Sequence, residues 1–372
     1  MICKQILTIF AIMTQKRHFT RREFVVTGVA GTLGIASGFA FADQSPVVSV
    51  VKIKDDNISA AVEEAIDLLG GIEEVARDKQ RIMLKPNLVG PDPRCTTKPE
   101  VIRALAELML KAGKEVSIGE GSAAAPGFNA DEEGDHFSKD PGILDPMQQY
   151  VFDQLGYTDL AQELGIPLIN LHTGEMVEVE VPNAYVYNKI VVHKALSEID
   201  LLCSVPMMKT HVLARVTLGM KNLIGLYPGS AYCSVRSCIH NESYKKNSPC
   251  VSFEIIDMVR ACPPGLTVID ASTSMEGNGP TNGELVKTDL IIAGTNPLAT
   301  DMVGAKIMGF HKNEVATLAM AIRARMKPTS LDYIEIRGES LEGVQMAFKR
   351  PDLVPWGEIN SWYGVKEIHA ST

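Results

Sequence analysis

Between Arg81 and Ser122 the chain follows a pattern that constrains its fold more than any other segment does. Arg81–Leu84 is a short apolar run stopped by Lys85-Pro86-Asn87. Pro99, a natural first-turn residue, then opens a segment with Val101, Ile102, Leu105, Leu108 and Met109 at helical spacing, which Gly113 stops. Glu115–Ile118 is a second apolar run and leads into Gly119-Glu120-Gly121-Ser122. A strand, a helix and a strand in such quick succession are the unit of a parallel sheet, because the helix carries the chain back to start the second strand in the same direction.

The rest of the chain extends this pattern. Ile58–Leu69 places Ala60, Ala61, Ala65, Ile66 and Leu69 on one helical face. Helices are predicted at Met147–Leu164, Ser252–Ala261, Pro297–Met308 and Asn313–Arg325. Strands are predicted at Pro167–Leu171, Leu201–Val205, Leu266–Ile269 and Leu290–Ala293, with an antiparallel pair at Val177–Val181 and Lys189–Val192. Ala123–Pro146 is acidic and rich in glycine and proline, and reads as a long excursion of the kind used for lids. The expected class is α/β, with mostly parallel sheet flanked by helices, over residues 43–372 or as lobes 43–200 and 201–372. At 372 residues, 45% apolar and 22% charged, the chain can bury a core without disulfide staples.

Residues 1–42 stand apart. Arg21-Arg22 precedes an uncharged stretch from Val26 to Ala42 that contains Gly28, Gly31, Gly34 and Gly38 and ends in Ala40-Phe41-Ala42. This resembles a twin-arginine export signal with a small-x-small cleavage site between Ala42 and Asp43. The stretch is short and glycine-rich for a permanent membrane span. The expectation is therefore passage through the twin-arginine export machinery to a periplasmic or extracytoplasmic location, with translation starting at Met1 or Met13. Cys95, Cys203, Cys233, Cys238, Cys250 and Cys262 remain after cleavage without any C-x-x-C pair, so neither a zinc ribbon nor an iron–sulfur motif is expected. A disulfide among Cys233, Cys238 and Cys250 and a set of buried thiols both remain open. The net charge of −9 argues against a nucleic-acid partner.

In open α/β sheets, ligands collect at the carboxyl ends of the strands. The polar residues there are Lys85 and Asn87, then Gly119, Glu120, Gly121 and Ser122, then Lys209 and His211 running on to Lys221 and Asn222, and finally Asp270 and Glu276. Three lysines at neighbouring strand exits would form a positive field suited to a small anion. A desolvated lysine loses basicity and becomes a nucleophile or base, and a histidine beside lysines tends to be neutral. Lys209, His211 and Lys221 are therefore the candidate catalytic residues, and Asp270 and Glu276 are candidate metal ligands or lysine-orienting groups.

Several of these segments together resemble the bacterial and archaeal family called domain of unknown function 362. They are Lys85–Leu88, Thr96–Val101, Pro206–His211, Thr217–Gly225, Leu266–Asp270, Gly277–Pro280 and Ala293–Asp301, where Asn296 stands in place of that family's usual acid. The family name implies no activity. A more distant resemblance, to the nickel-pincer lactate racemase family, rests on the separation of His211 from Lys221. It implies a lysine bonded to a nickel-carrying nucleotide, with His211 and a further histidine such as His240 as ligand and acid/base. Here the Gly-rich turn offers Glu120 and Ser122 rather than histidine, and Lys85-Pro86-Asn87 lacks arginine.

Three kinds of function are consistent with these features. One is an exported enzyme, racemase-like or otherwise, acting on a small anionic organic substrate with a bound cofactor or metal. The others are a non-catalytic periplasmic protein that binds a small anion, and an accessory subunit of a redox assembly.

Overall fold

The computed structural model describes residues 45–236, 239, 251–353 and 367–370. The export segment, its cleavage site, His240, Cys238 and Cys250 lie outside the described residues. Residues 45–372 cluster as one compact unit.

The fold is α/β. Its main sheet contains β1 (Val47–Lys52), β2 (Arg81–Pro86), β3 (Glu115–Glu120), β6 (Leu168–Asn170), β9 (Leu201–Val205), β10 (Met207–His211), β11 (Arg215–Thr217), β12 (Leu266–Asn278), β13 (Asn282–Gly294) and β14 (Glu335–Gly338). Eight of these run β14-β1-β13-β12-β9-β2-β3-β6, and β10 and β11 branch from β12. The pairings β12–β9, β9–β2, β2–β3 and β3–β6 are all parallel. Antiparallel pairs occur at β1–β13, β12–β13 and β10–β11. Strands from either side of residue 200 thus share a single sheet, with β1 lying between β14 and β13. Two small hairpins stand apart, β4 (Ala130–Asp131) with β5 (Gly134–Asp135), and β7 (Met176–Glu180) with β8 (Lys189–His193).

Alternation along the central strands explains their apolar runs. Ile82 and Leu84 face one layer and Met83 the other, as do Leu201 and Cys203 against Leu202. A strand covered on both faces has no polar side to show. Helices 99–111, 141–154 and 157–164 cover one face, and helices 252–261, 297–307 and 316–323 the other.

Three expectations need correcting. The helix predicted from Met147 to Leu164 begins at Pro141 and breaks at Gly156, whose left-handed φ of 74° ends the first helix and starts the second. Pro206–His211 is not a loop leaving β9, because Met207–His211 forms a fully buried strand beside β12. Glu276–Pro280 is not a strand exit either, since β12 continues through Asn278 into a long hairpin. Among the described residues, no helix is long and apolar enough to cross a membrane.

Candidate functional site

The ends of β2 and β3 meet in a buried ion pair. Lys85 is 0% and Glu120 2% exposed, and Lys85 Nζ donates to Glu120 Oε2 at 2.8 Å, to Asn222 Oδ1 at 3.0 Å and to Pro86 O at 2.9 Å. An ammonium has three donors, and all three are used here. Glu120 also accepts from Leu88 N at 3.1 Å and Gly121 N at 2.8 Å. Burial lowers the Lys85 pKa, and Glu120 works against that shift. Lys85 is therefore a neutralised structural cation, and it does not add to an anion-binding field as its position in the sequence suggests.

Lys209 has a different environment. It is 1% exposed, its Nζ donates to the carbonyl oxygen of Cys95, and no described carboxylate pairs with it. Burial brings its pKa down to about 8. His211, on the same strand, accepts at Nδ1 from Leu213 N at 3.1 Å and Ala214 N at 3.4 Å. A nitrogen that accepts from N–H groups holds no proton, so the neutral ring carries its proton on Nε2.

Lys221 and Asn222 occupy the short helix Gly219–Asn222, and Asp301 anchors that helix from 80 residues away in sequence. Asp301 Oδ1 accepts from Gly219 N at 2.7 Å and Oδ2 from Met220 N at 2.9 Å. Burial raises the Asp301 carboxyl pKa to about 7 despite these bonds. Asn296 caps helix 297–307 through Ala299 N at 3.0 Å, so an amide does there what a carboxylate would do. The Thr96–Val101 segment ties the exits of β2 and β9 to the interior of β12. Thr97 Oγ1 accepts from Asn87 N and donates to Val205 O, while Lys98 N donates to Asp270 Oδ2.

Arg236, which the sequence does not mark, closes the site. Its guanidinium donates to the carbonyls of Gly121, Ser122 and Ser234, and burial lowers its pKa to about 10. His172 lies behind it, accepting from Gly229 N at Nδ1 and facing Ser122 O with Nε2 at 2.7 Å. Burial first, and then Arg236, hold its pKa well below the usual histidine range.

These elements enclose a cavity of about 80 Å³. At about 10–15 Å³ of such space per water molecule, it has room for several waters or a small anion. Lys85, Asn87, Glu120, Gly121, Lys209, His211, Lys221 and Asn222 line it, joined by Thr217, Gly225 and Arg236. Two of its buried polar atoms, Asn87 Oδ1 and Thr217 Oγ1, have no hydrogen-bond partner among the described residues. Gly225 must be glycine, because a Cβ there would fall 2.2 Å from Glu120 Oε1 and 2.8 Å from Lys85 Nζ.

Four residues expected here lie elsewhere. Gly119 is inside β3, packed under Met83 and Leu171. Ser122 contributes its main chain, with its N–H donating to Gln148 Oε1. Asp270 and Glu276 do not line the cavity or come together as metal ligands. The Asp270 carboxylate accepts from Lys98 N, Ser272 N and Ser272 Oγ, and Glu276 accepts from Lys349 N on the outer part of the β12–β13 hairpin. Cys95, Cys203, Cys233 and Cys262 are all buried.

The motifs that build this site match the family described as domain of unknown function 362 across residues 82–306. The chain belongs to that family. A thylakoid-associated protein of the cyanobacterium Synechocystis sp. is 25% identical over 301 residues, which covers 80% of this chain and 84% of that one. Among solved structures, the lactate racemase apoprotein of Thermoanaerobacterium thermosaccharolyticum aligns with a TM-score of 0.43 at 14% identity, covering 71% of this chain and 57% of that chain.

Proposed function

We propose that the strand-end cavity binds a small organic anion carrying a carboxylate or phosphate, and that Lys209 is the residue that acts on it. One observation carries this reading. Lys209 is buried without a described carboxylate partner and faces the same space as the unpartnered Asn87 Oδ1 and Thr217 Oγ1. A pKa of about 8 leaves roughly one amine in ten neutral at pH 7. A neutral amine can take a proton from a carbon next to a carboxylate or carbonyl. It can also add to a carbonyl carbon, forming the C–N bond while its proton passes to the carbonyl oxygen, and the resulting carbinolamine loses that oxygen as water, giving up the second N–H proton, to leave an imine. The first of these is also the opening half of a racemisation, so racemase-like chemistry falls within the proposal. Lys221 and Arg236 supply positive charge, and His211 Nε2–H supplies a neutral donor.

A nickel-carrying nucleotide fits the described residues poorly. The His211 Nδ1 lone pair is engaged by backbone N–H groups and so is not offered to a metal. Export is part of the same proposal and rests on Arg21-Arg22 and the uncharged stretch to Ala42. The cyanobacterial relative's association with thylakoids is in keeping with a post at or beyond a membrane.

A ligand panel tests the proposal. Small carboxylates, 2-oxo acids and phosphate are added to the purified chain and melting is followed. At a hundred times its Kd, a true ligand stabilises the fold by about 2.7 kcal/mol. Lys209→Ala and Lys221→Ala should lose the rise in Tm, and Lys349→Ala, at an exposed side chain in the C-terminal segment, should keep it. Reduction with borohydride in the presence of a 2-oxo acid should add mass at Lys209. If no compound shifts Tm and no adduct forms, the small-anion reading fails and a role as an accessory subunit leads.

A further inference from the structure

The excursion between β3 and helix 141–154 carries a second group of donor atoms, separate from the strand-end cavity. Its β4–β5 hairpin turns through Asp131-Glu132-Glu133-Gly134-Asp135-His136. One ligand atom from each of Asp131, Glu133 and His136 lies within 4.8 Å of the other two. The two carboxylates are exposed, whereas His136 is only 2% exposed. Both of its ring nitrogens are buried and neither makes a hydrogen bond, although Nε2 stands 2.7 Å from Asp131 Oδ2. The ring is held from behind, since His136 N donates to Asn129 O at 2.7 Å and Asn129 Nδ2 donates to His136 O at 3.1 Å. Buried polar atoms almost always find a partner, yet among the described residues Nδ1 has none and Nε2 has only the poorly aligned Asp131 carboxylate, so the ring has unused donor capacity.

We propose that Asp131, Glu133 and His136 bind a divalent first-row transition ion, with Zn²⁺ the best match. One imidazole and two carboxylates form a borderline donor set, too nitrogen-rich for Ca²⁺ and lacking the thiolates that select softer ions. Three protein ligands leave a fourth position open for water, as in mixed histidine–carboxylate zinc sites. Zinc–ligand bonds of about 2.0–2.2 Å place tetrahedral donors about 3.4 Å apart. The three donors already lie within 4.8 Å of one another, and the Nε2–Oδ2 pair at 2.7 Å must open by about 0.7 Å to admit the ion. The site is coupled to the cavity through one residue. Asn129 Nδ2 and Ser138 N, on either side of the hairpin, both donate to Ser234 Oγ, two residues before Arg236.

The test uses the full exported chain, stripped with chelator and desalted. Titration with ZnCl₂ should fill one site per chain at micromolar affinity or tighter, and CoCl₂ should give visible d–d absorption. His136→Gln should weaken Zn²⁺ binding at least tenfold and abolish the cobalt bands, and His311→Gln, at an exposed histidine, should leave both unchanged. Should His136→Gln fail to fold, Asp131→Asn, at an exposed position, serves as the same test. The proposal is overturned by the absence of binding below millimolar Zn²⁺, by unchanged affinity in the folded variant, or by preference for Ca²⁺ over Zn²⁺. A plain His–Asp ion pair predicts the first of these.

Discussion

Lys85 Nζ and Glu120 Oε2 stand 2.8 Å apart at the ends of two adjacent parallel strands, with neither side chain reaching solvent. A buried pair of this kind adds little net stability relative to a well-packed apolar pair, yet breaking it on one side leaves a charge with no compensation. Its role here is to set the distance between the exits of β2 and β3 and, through Asn222, to fix the segment that carries Lys221.

Glu120→Gln should therefore destabilise the fold by about 3–5 kcal/mol. The double variant Lys85→Met/Glu120→Leu should recover much of that loss. Urea midpoints of the parent, the single and the double variant provide the check. A double variant no more stable than the single would mean that the pair supplies more than mutual neutralisation.

Lys209 predicts a pH dependence with a definite sign. Its pKa falls from 10.5 in the unfolded chain to about 8 in the fold, so between these values the unfolded state binds the additional proton. Stability contributed at this site is absent below about pH 8 and grows as pH rises toward 10.5, by about 3 kcal/mol in total. Lys209→Met lacks this gain. The stability of the variant relative to the parent should accordingly be highest near pH 7 and decline across that window, as measured by urea unfolding at several pH values.

Asp301→Ala should cost about 1–2 kcal/mol, as loss of a helix N-cap does, and should weaken anion binding although Asp301 does not line the cavity. Melting curves with and without ligand separate the two effects. Anion affinity equal to the parent's would show that Lys221 and Asn222 hold their places without the cap.

Replacing Arg21 and Arg22 together by Lys should leave the unprocessed precursor in the cytoplasm. Fractionation followed by a mass spectrum of the recovered chain reads both location and cleavage. Full processing of the double variant would remove the support for export.

How much of this was legible in the sequence varied with the kind of contact involved. Lys85, Asn87 and Glu120 stand out because a polar residue directly after a doubly buried strand has few places to go except the strand-end crevice. Lys209 and His211 were placed in the right region but in the wrong element, since a strand that buries a lysine and a histidine does not look like a strand. Arg236 left no trace, because its partners are the main-chain carbonyls of Gly121, Ser122 and Ser234, which any residue could supply. Asp270 and Glu276 look like metal ligands only while the hairpin following β12 is unknown. The two are drawn away from each other by Lys98 N and Lys349 N, backbone groups that no side-chain spacing reports.

The tip of the long β12–β13 hairpin is the sort of place where a chain usually accepts an inserted tag or a cut. Here it is wedged. A Cβ at Gly279 would lie 2.1 Å from Thr210 O, Val212 N donates to Gly279 O, and Thr210 Oγ1 donates to Gly277 O. Pro280, the next residue, forms part of the cavity wall. Lengthening this turn would therefore push directly on the strand that presents Lys209 and His211. An affinity handle or fluorophore intended as a silent label belongs on a different loop, and one inserted at residues 279–281 would act as an inhibitor built into the chain.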